Sequence, residues 1–210
     1  MLEKIGQPCY ERVSFPNNTF LRFVREKVET LNEVIVAEIG VGIGASSQAV
    51  LNFLRDCDTY YIFDYHDKVD ELKKDFMKLG TVEAKIISCG NTRNTNDSYV
   101  WTLYDLYSHQ SAKFDLVLLD GAHDFAIDLA CCVLIDKLLC HGGLIIVDDY
   151  LLTVDVIKSK KQDANMYSGI YSIEQGACPQ MKMVCDTYFE DNSNYIKKKA
   201  EDGCVAYEKV

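Results

Sequence analysis

The sequence predicts a doubly wound α/β fold, and three observations predict it. Short apolar or aromatic runs of strand length alternate with amphipathic stretches of helix length along most of the chain. The first run, Val34–Ile39, leads at once into a glycine turn (Gly40, Gly42, Gly44) and then an amphipathic stretch. Two later runs end in acid pairs or acid-glycine, Asp120-Gly121 and Asp148-Asp149. Alternation of this kind means a parallel sheet joined by right-handed crossovers.

Taken in order, residues 1–16 read as irregular, with Pro8 and Pro16. Asn18 is placed to cap a helix whose apolar face is Phe20, Leu21, Phe23, Val24, Val28 and Leu31. The glycine-turn strand follows, then a helix over Ala45–Asp56 with Ala49, Val50, Phe53 and Leu54 inward. Thr59–Asp64 is an aromatic and β-branched strand ending in an acid. Asp67 caps the next predicted helix, which carries Val69, Leu72, Phe76 and Leu79 and stops at Gly80. Ala84–Ser88 is a third strand, Cys89–Asp97 a polar loop, and Ser98–Ser108 a fourth helix. Phe114–Leu119 is nearly all apolar, as a strand buried on both faces should be. Asp124 caps a long helix over Phe125–Cys140, halted by Gly142-Gly143, and Leu144–Val147 is the fifth strand. Residues 150–177 have weak periodicity and read as a lid with one short helix, in which Tyr150, Tyr167 and Tyr171 would touch an acceptor. Pro179–Glu190 is helical, and the tail holds two β-like runs around Glu201-Asp202-Gly203, a hairpin signal.

Length and composition bound the function. A chain of 210 residues is most simply one domain, 1–210, with residues 1–30 as a helical N-terminal extension. The net charge of −10 argues against nucleic acid, whose phosphates need a basic face, and against an anionic membrane surface. No apolar run approaches transmembrane length, and the first residues lack the apolar core of a signal peptide. The cysteines number nine, with no C-x-x-C pair, and Cys131, Cys132 and Cys140 lie in an apolar stretch as small hydrophobes. A reducing, cytoplasmic location is expected.

The glycine turn carries the chemistry. Glycine is needed where the backbone bends sharply or a ligand touches it, and a helix N-terminus just beyond offers free N–H groups. Such a turn binds a nucleotide-like ligand outside the first strand of a doubly wound sheet. Its spacing is G-x-G-x-G, not the G-x-G-x-x-G of dinucleotide folds. Asp64 lies 20 residues past Gly44, where a strand-end carboxylate can accept from both ribose hydroxyls. The plain alternatives are a tight turn without ligand and a solvated acid.

Asp120, Asp148 and Asp149 fall at the carboxyl ends of what should be neighbouring strands. Three carboxylates at one point repel one another unless a cation or protons compensate, and hard oxygen ligands suit Mg²⁺. The alternative has Asp148 and Asp149 solvated at the strand end and Asp120 reaching the cofactor through water. His123, three residues past Asp120, could take a hydroxyl proton or could order the loop. His66 and His109 read as surface residues, and His141 as the C-terminus of a helix.

EIGVGIG, the Asp64 strand end and the terminal hairpin resemble class I S-adenosylmethionine-dependent methyltransferases over roughly residues 30–210. The stretch FDLVLLDGAHDFAIDLACCVLIDKLLCHGGLIIVDDY is similar to catechol- and caffeoyl-CoA-type O-methyltransferases. It is closer still to the macrocin and cephalosporin-hydroxylase-like group. The resemblance implies a Rossmann-like seven-stranded sheet, mostly parallel with an antiparallel C-terminal hairpin. It also implies S-adenosyl-L-methionine lined by Gly40, Gly42 and Gly44. Ser46 would meet its methionine carboxylate, Asp64 its ribose, and Glu38 its amino group or the turn itself. Asn91 would face adenine, in a stretch (Ser88-Cys89-Gly90-Asn91) that departs from the family in lacking an acid. Asp120 would contact cofactor, and it would hold Mg²⁺ with Asp148 and Asp149. His123 and Asp120 would serve catalysis.

The expected activity is O-methylation of a small-molecule hydroxyl, for instance on a sugar, with neither nucleic acid nor membrane as partner and with homo-oligomerisation left open. Two other readings stand beside it: a non-catalytic cofactor-binding protein of the same fold, and an NAD(P)-dependent oxidoreductase. The glycine spacing and the Asp148-Asp149 pair speak against the oxidoreductase.

Overall fold

The structure is a computed structural model that describes residues 1–80, 84–92, 99–156 and 171–210. Its centre is a seven-stranded sheet of order β3-β2-β1-β4-β5-β7-β6. The strands are β1 (Ile35–Ile39), β2 (Thr59–Tyr65), β3 (Lys85–Asn91), β4 (Phe114–Leu119), β5 (Leu139–Val147), β6 (Tyr195–Lys198) and β7 (Val205–Lys209). Strands β1 to β5 pair in parallel. β7 is antiparallel to both β5 and β6 and lies between them. The sheet is therefore the Rossmann-like, mostly parallel sheet the sequence implied. Within the hairpin, Asp202 and Gly203 both have φ > 0 (58° and 77°), and Cys204 N–H donates to Glu201 C=O at 3.0 Å. That is the turn Asp-Gly favours.

The helices described are α1 (Asn18–Thr30), α2 (Ala45–Val50), α3 (His66–Leu79), α4 (Tyr99–Ser108), α5 (Phe125–Leu138), α6 (Ile173–Ala177) and α7 (Gln180–Tyr188). Side chains alternate across the sheet, so each strand feeds two cores. Ala37, Ile39, Phe63, Val117, Ile145 and Tyr207 point to one side, with Leu103, Cys131, Ile135 and Val184. Val36, Tyr60, Ile62, Leu118 and Ile146 point to the other, with Phe20, Val24, Val50, Leu72 and Phe76. At the edge formed by the strands' amino ends, fully buried Asp58 accepts from Val34 N–H and from the Arg55 backbone and guanidinium.

Several elements differ from expectation for local reasons. Asn17, not Asn18, caps α1: its side chain accepts from Phe20 N–H at 2.8 Å. The segment before it holds two short 3-10 turns, Leu2–Lys4 and Pro8–Val13. α2 ends at Val50, six residues short of Asp56, and gives way to turns. α3 starts at His66 with no side-chain cap, and Asp67 lies inside its first turn. Gly80 ends α3 in the left-handed conformation, as expected. β3 runs on through Cys89, Gly90 and Asn91, because these pair with Phe63, Asp64 and Tyr65. Residues 93–97 of the expected loop lie outside the described residues. α5 stops at Leu138, and His141 belongs to β5, which starts at Leu139 and takes up a register shift against β4. Of the expected lid, α6 is a helix with a full capping box at Ser172 and Gln175, and Tyr167 lies outside the described residues.

Met1 packs in the second core, and its ammonium lies 2.6 Å from Glu3, 2.6 Å from Glu71 and 2.5 Å from Asp75. Among the described residues no helix is long and apolar enough to cross a membrane.

Candidate active site

The carboxyl ends of β2, β1, β4 and β5 meet in one line. Gly40 N–H donates to Phe63 C=O, Asp120 N–H to Ile39 C=O, and Asp148 N–H to Leu119 C=O, at 2.8, 2.8 and 3.0 Å. The glycine turn and the acids are thus fixed to one another by ladder bonds that run one residue past the strands. Gly40 has φ 91°, and a Cβ there would lie 1.8 Å from the Asp120 carbonyl oxygen. Only glycine lets the ends of β1 and β4 come this close. Gly42 has φ 56° but nothing within 4 Å of a Cβ position, so its outer side is open to a ligand. Gly44 is the N-cap of α2, which has no side-chain cap. The first α2 amides are left for another acceptor.

The residues around this turn are placed as follows. Glu38 points to the α2 side of the sheet and is 2% exposed. Its Oε2 accepts from Ser47 Oγ at 2.6 Å and from the Tyr60 hydroxyl. Burial pushes its carboxyl up to about 7 against those two hydrogen bonds, with the Asp64 charge adding to the rise. Glu38 therefore braces α2 against β1 and β2. Ser46 Oγ accepts from Asn17 N–H at 2.9 Å. Asp64 ties β2 to the turn: Oδ2 accepts from Val41 N–H (3.2 Å) and Lys68 Nζ (3.2 Å), and Oδ1 from Tyr65 N–H (2.7 Å). Asn91, at the end of β3, is 3% exposed, and its Oδ1 has no hydrogen-bond partner among the described residues. A buried amide oxygen left unpaired is costly, and a ligand group that pairs it would remove that cost.

On the other side of Gly40, His123 Nε2 lies 3.5 Å from Asp120 Oδ1 and 3.5 Å from Asp149 Oδ2. The three side chains are 22%, 37% and 42% exposed, in the order His123, Asp120, Asp149. One ligand atom from each lies within 4.8 Å of the others. His123 and Asp149 both take positive φ, 55° and 51°, a strained backbone that clusters at functional sites. Desolvation at the cleft floor, then the Asp148 and Asp149 charges, hold the Asp120 carboxyl well above the usual range.

Asp148 stands apart from this group. Its Oδ2 accepts from Asn17 Nδ2 at 3.0 Å, and its Oδ1 from Asp149 N–H at 2.7 Å and Cys204 Sγ at 3.1 Å. The structure thus brings together Asp120, His123 and Asp149, and commits Asp148 to its neighbours.

Some contributors had no motif to mark them. Asp128 is fully buried in α5 and accepts from Asp124 N–H at 2.8 Å, holding the loop that carries His123. Burial raises its carboxyl. An aspartate on the apolar face of a helix was the signal available. Asp124 caps α5 through Ala126 and Ile127 N–H, and its other oxygen accepts from Tyr171 OH at 2.7 Å.

Residues 37–150 match the family described as methyltransferase domain, more than half of the chain. The chain belongs to this family. The match bears out the resemblance to class I methyltransferases drawn from the motifs. No curated protein matches. Solved structures share the methyltransferase fold at low identity. An O-methyltransferase from Bacillus cereus in complex with SAH is 15% identical, with TM-score 0.60, covering 99% of this chain and 90% of that one. TomG from Streptomyces achromogenes, an O-methyltransferase of tomaymycin synthesis in complex with SAM, is 15% identical, with TM-score 0.61 and coverage of 91% and 78%. MycE of mycinamycin biosynthesis, in complex with Mg and SAH, is 16% identical, with TM-score 0.58. This chain covers 91% of its own length there and 49% of MycE.

Proposed function

We propose that this methyltransferase domain uses S-adenosylmethionine to methylate a hydroxyl of a small molecule. One observation carries the reading: Gly40 lies directly against the Asp120 backbone, so the open glycine turn and the Asp120–His123–Asp149 group share one cleft edge. The chain's residues suit the cofactor. The open side of Gly42, the uncapped α2 N-terminus, the Asp64 carboxylate and the unpaired Asn91 Oδ1 lie along the ends of β1, β2 and β3. Lys68, one third exposed, would swing off Asp64 to admit ribose hydroxyls.

A bound sulfonium brings an already activated methyl group, so the protein's work is to position the acceptor and remove its proton. His123 Nε2 is the base, at the point where Asp120 and Asp149 converge. Tyr171, whose hydroxyl donates to the α5 cap Asp124, would touch the acceptor, whereas the Tyr150 ring lies beside Lys197 of β6.

Two carboxylates and an imidazole also fit a divalent cation, and the similar MycE structure is in complex with Mg. Asp120, His123 and Asp149 would hold it, with His123 then a ligand in place of the base and Asp148 orienting Asp149 from behind. Such an ion would supply acidity and orientation to the hydroxyl. The charge of −10 supports a small molecule over nucleic acid as acceptor, and nine free cysteines support a reducing, cytoplasmic setting.

Calorimetry with S-adenosylhomocysteine, followed by methyl-transfer assays over phenols, catechols and sugars, tests the proposal. Micromolar binding and transfer to a hydroxyl are expected. Absence of binding by the folded protein would overturn it.

A further inference from the structure

Asn17 lies outside the residues matched to the family and is 9% exposed. Its Oδ1 does the ordinary work of a helix cap, accepting from Phe20 N–H at 2.8 Å. The rest of the residue is not needed for capping. Its Nδ2 donates to Asp148 Oδ2 at 3.0 Å and to Cys204 Sγ at 3.0 Å. Its backbone N–H donates to Ser46 Oγ at 2.9 Å. One residue thus touches both the first turn of α2, which follows β1, and the acidic end of β5, and β1 and β5 lie on either side of β4 in the sheet.

The direction of each bond matters. Asp148 receives from Asn17, Cys204 and the Asp149 amide, so its carboxylate is pinned away from His123 while that of Asp149 reaches it. Ser46 accepts from the Asn17 amide, so its own hydroxyl hydrogen is left to donate. Serine or aspartate caps a helix as well as asparagine does. Only the carboxamide caps α1 and also donates to Asp148. An aspartate would set carboxylate against carboxylate.

We infer that Asn17 is a positioning residue of the cofactor site. By holding Asp148 and Ser46 it fixes the glycine turn and α2 relative to the Asp120–His123–Asp149 group. The inference rests on the reading that this cleft binds S-adenosylmethionine.

The test compares Asn17→Ser, Asn17→Asp, Asp148→Asn and the Asn17→Ser/Asp148→Asn pair by melting temperature and by calorimetry with S-adenosylhomocysteine. Thr19→Val serves as control: it removes the Thr19 hydroxyl bonds to Glu201 at the same helix end without touching Asp148 or Ser46. Asn17→Ser keeps the cap and should melt close to wild type, yet bind at least about fivefold more weakly. Asn17→Asp should be weaker again. The double variant should be no weaker than the worse single one, the non-additivity of residues acting through each other. Thr19→Val should melt lower with affinity unchanged. Wild-type affinity in Asn17→Ser would reduce Asn17 to a helix cap, and additive losses, or affinity that tracks melting temperature in Thr19→Val, would also overturn the inference. A wild-type protein that binds no S-adenosylhomocysteine would instead sink the cofactor reading, and is told apart by that control.

Discussion

Replacing Glu38 by glutamine should change how stability depends on pH. Glu38 is shut in beneath the glycine turn, and burial lifts its carboxyl from 4.5 to about 7. In the unfolded chain it titrates near the lower value. Between the two, the folded state binds more protons than the unfolded state. The contribution to stability is therefore greatest below about pH 4.5 and is lost as pH rises to about 7. The shift is about 2.5 units (7 − 4.5), which at about 1.4 kcal/mol per unit gives roughly 3 kcal/mol in full. Between pH 5 and 8, about 2–3 kcal/mol of it should be seen. Glutamine is nearly isosteric, accepts from Ser47 and Tyr60 through its oxygen, and has no charge to desolvate. Urea unfolding of both proteins at several pH values provides the assay. The stability difference should move in the variant's favour by that amount as pH rises. Asp128, also raised by burial, acts with the same sign in both proteins and cancels in the comparison, while Asp120 loses the push of the Glu38 charge, which moves the difference the same way. Parallel curves for the two proteins would refute the reasoning.

Three other outcomes are expected. Gly42→Val should lose S-adenosylhomocysteine binding while circular dichroism stays native, since the position is open on its outer side; retained affinity would move the cofactor elsewhere. Asp58→Ala should cost about 3 kcal/mol in urea unfolding, because it strips a fully buried acceptor from Arg55 and Val34, with cofactor affinity unchanged at the opposite sheet edge. Asp149→Ala should abolish Mn²⁺ binding measured by electron paramagnetic resonance, and Asp148→Asn should only weaken it; the reverse order would place the ion on Asp148.

Much of the fold was legible because the strands announce themselves twice, by apolar runs and by what ends them. Ile39 to Gly40, Leu119 to Asp120 and Val147 to Asp148 are each a buried residue followed at once by a turn or an acid. Element ends were less legible where pairing overrode local preference. Cys89-Gly90-Asn91 looks like a loop, yet it extends β3 because β2 offers partners as far as Tyr65. The Gly142-Gly143 pair reads as a helix stop, but the chain has already turned into β5 three residues earlier. At the site, spacing could bring Asp120, Asp148 and Asp149 to one edge but could not say where each carboxylate turns. That is decided by Asn17 and Cys204, which lie far from Asp148 in sequence. Asp128 was hidden for a related reason: its partner is a backbone amide, which leaves no trace in composition.

The placement of β7 bears on how the chain is made. β7 follows β6 in sequence but lies inside the sheet, with β5 on one side and β6 on the other. While a ribosome is still delivering residues up to 198, β5 presents an open edge and β6 has nothing to pair with. An open apolar edge of this kind invites pairing between nascent chains. The hairpin closes the sheet only once Val205–Lys209 has cleared the exit tunnel, so β5 and β6 both wait for the strand that joins them. Expression at lower temperature, or with a holdase present, should raise soluble yield for this reason.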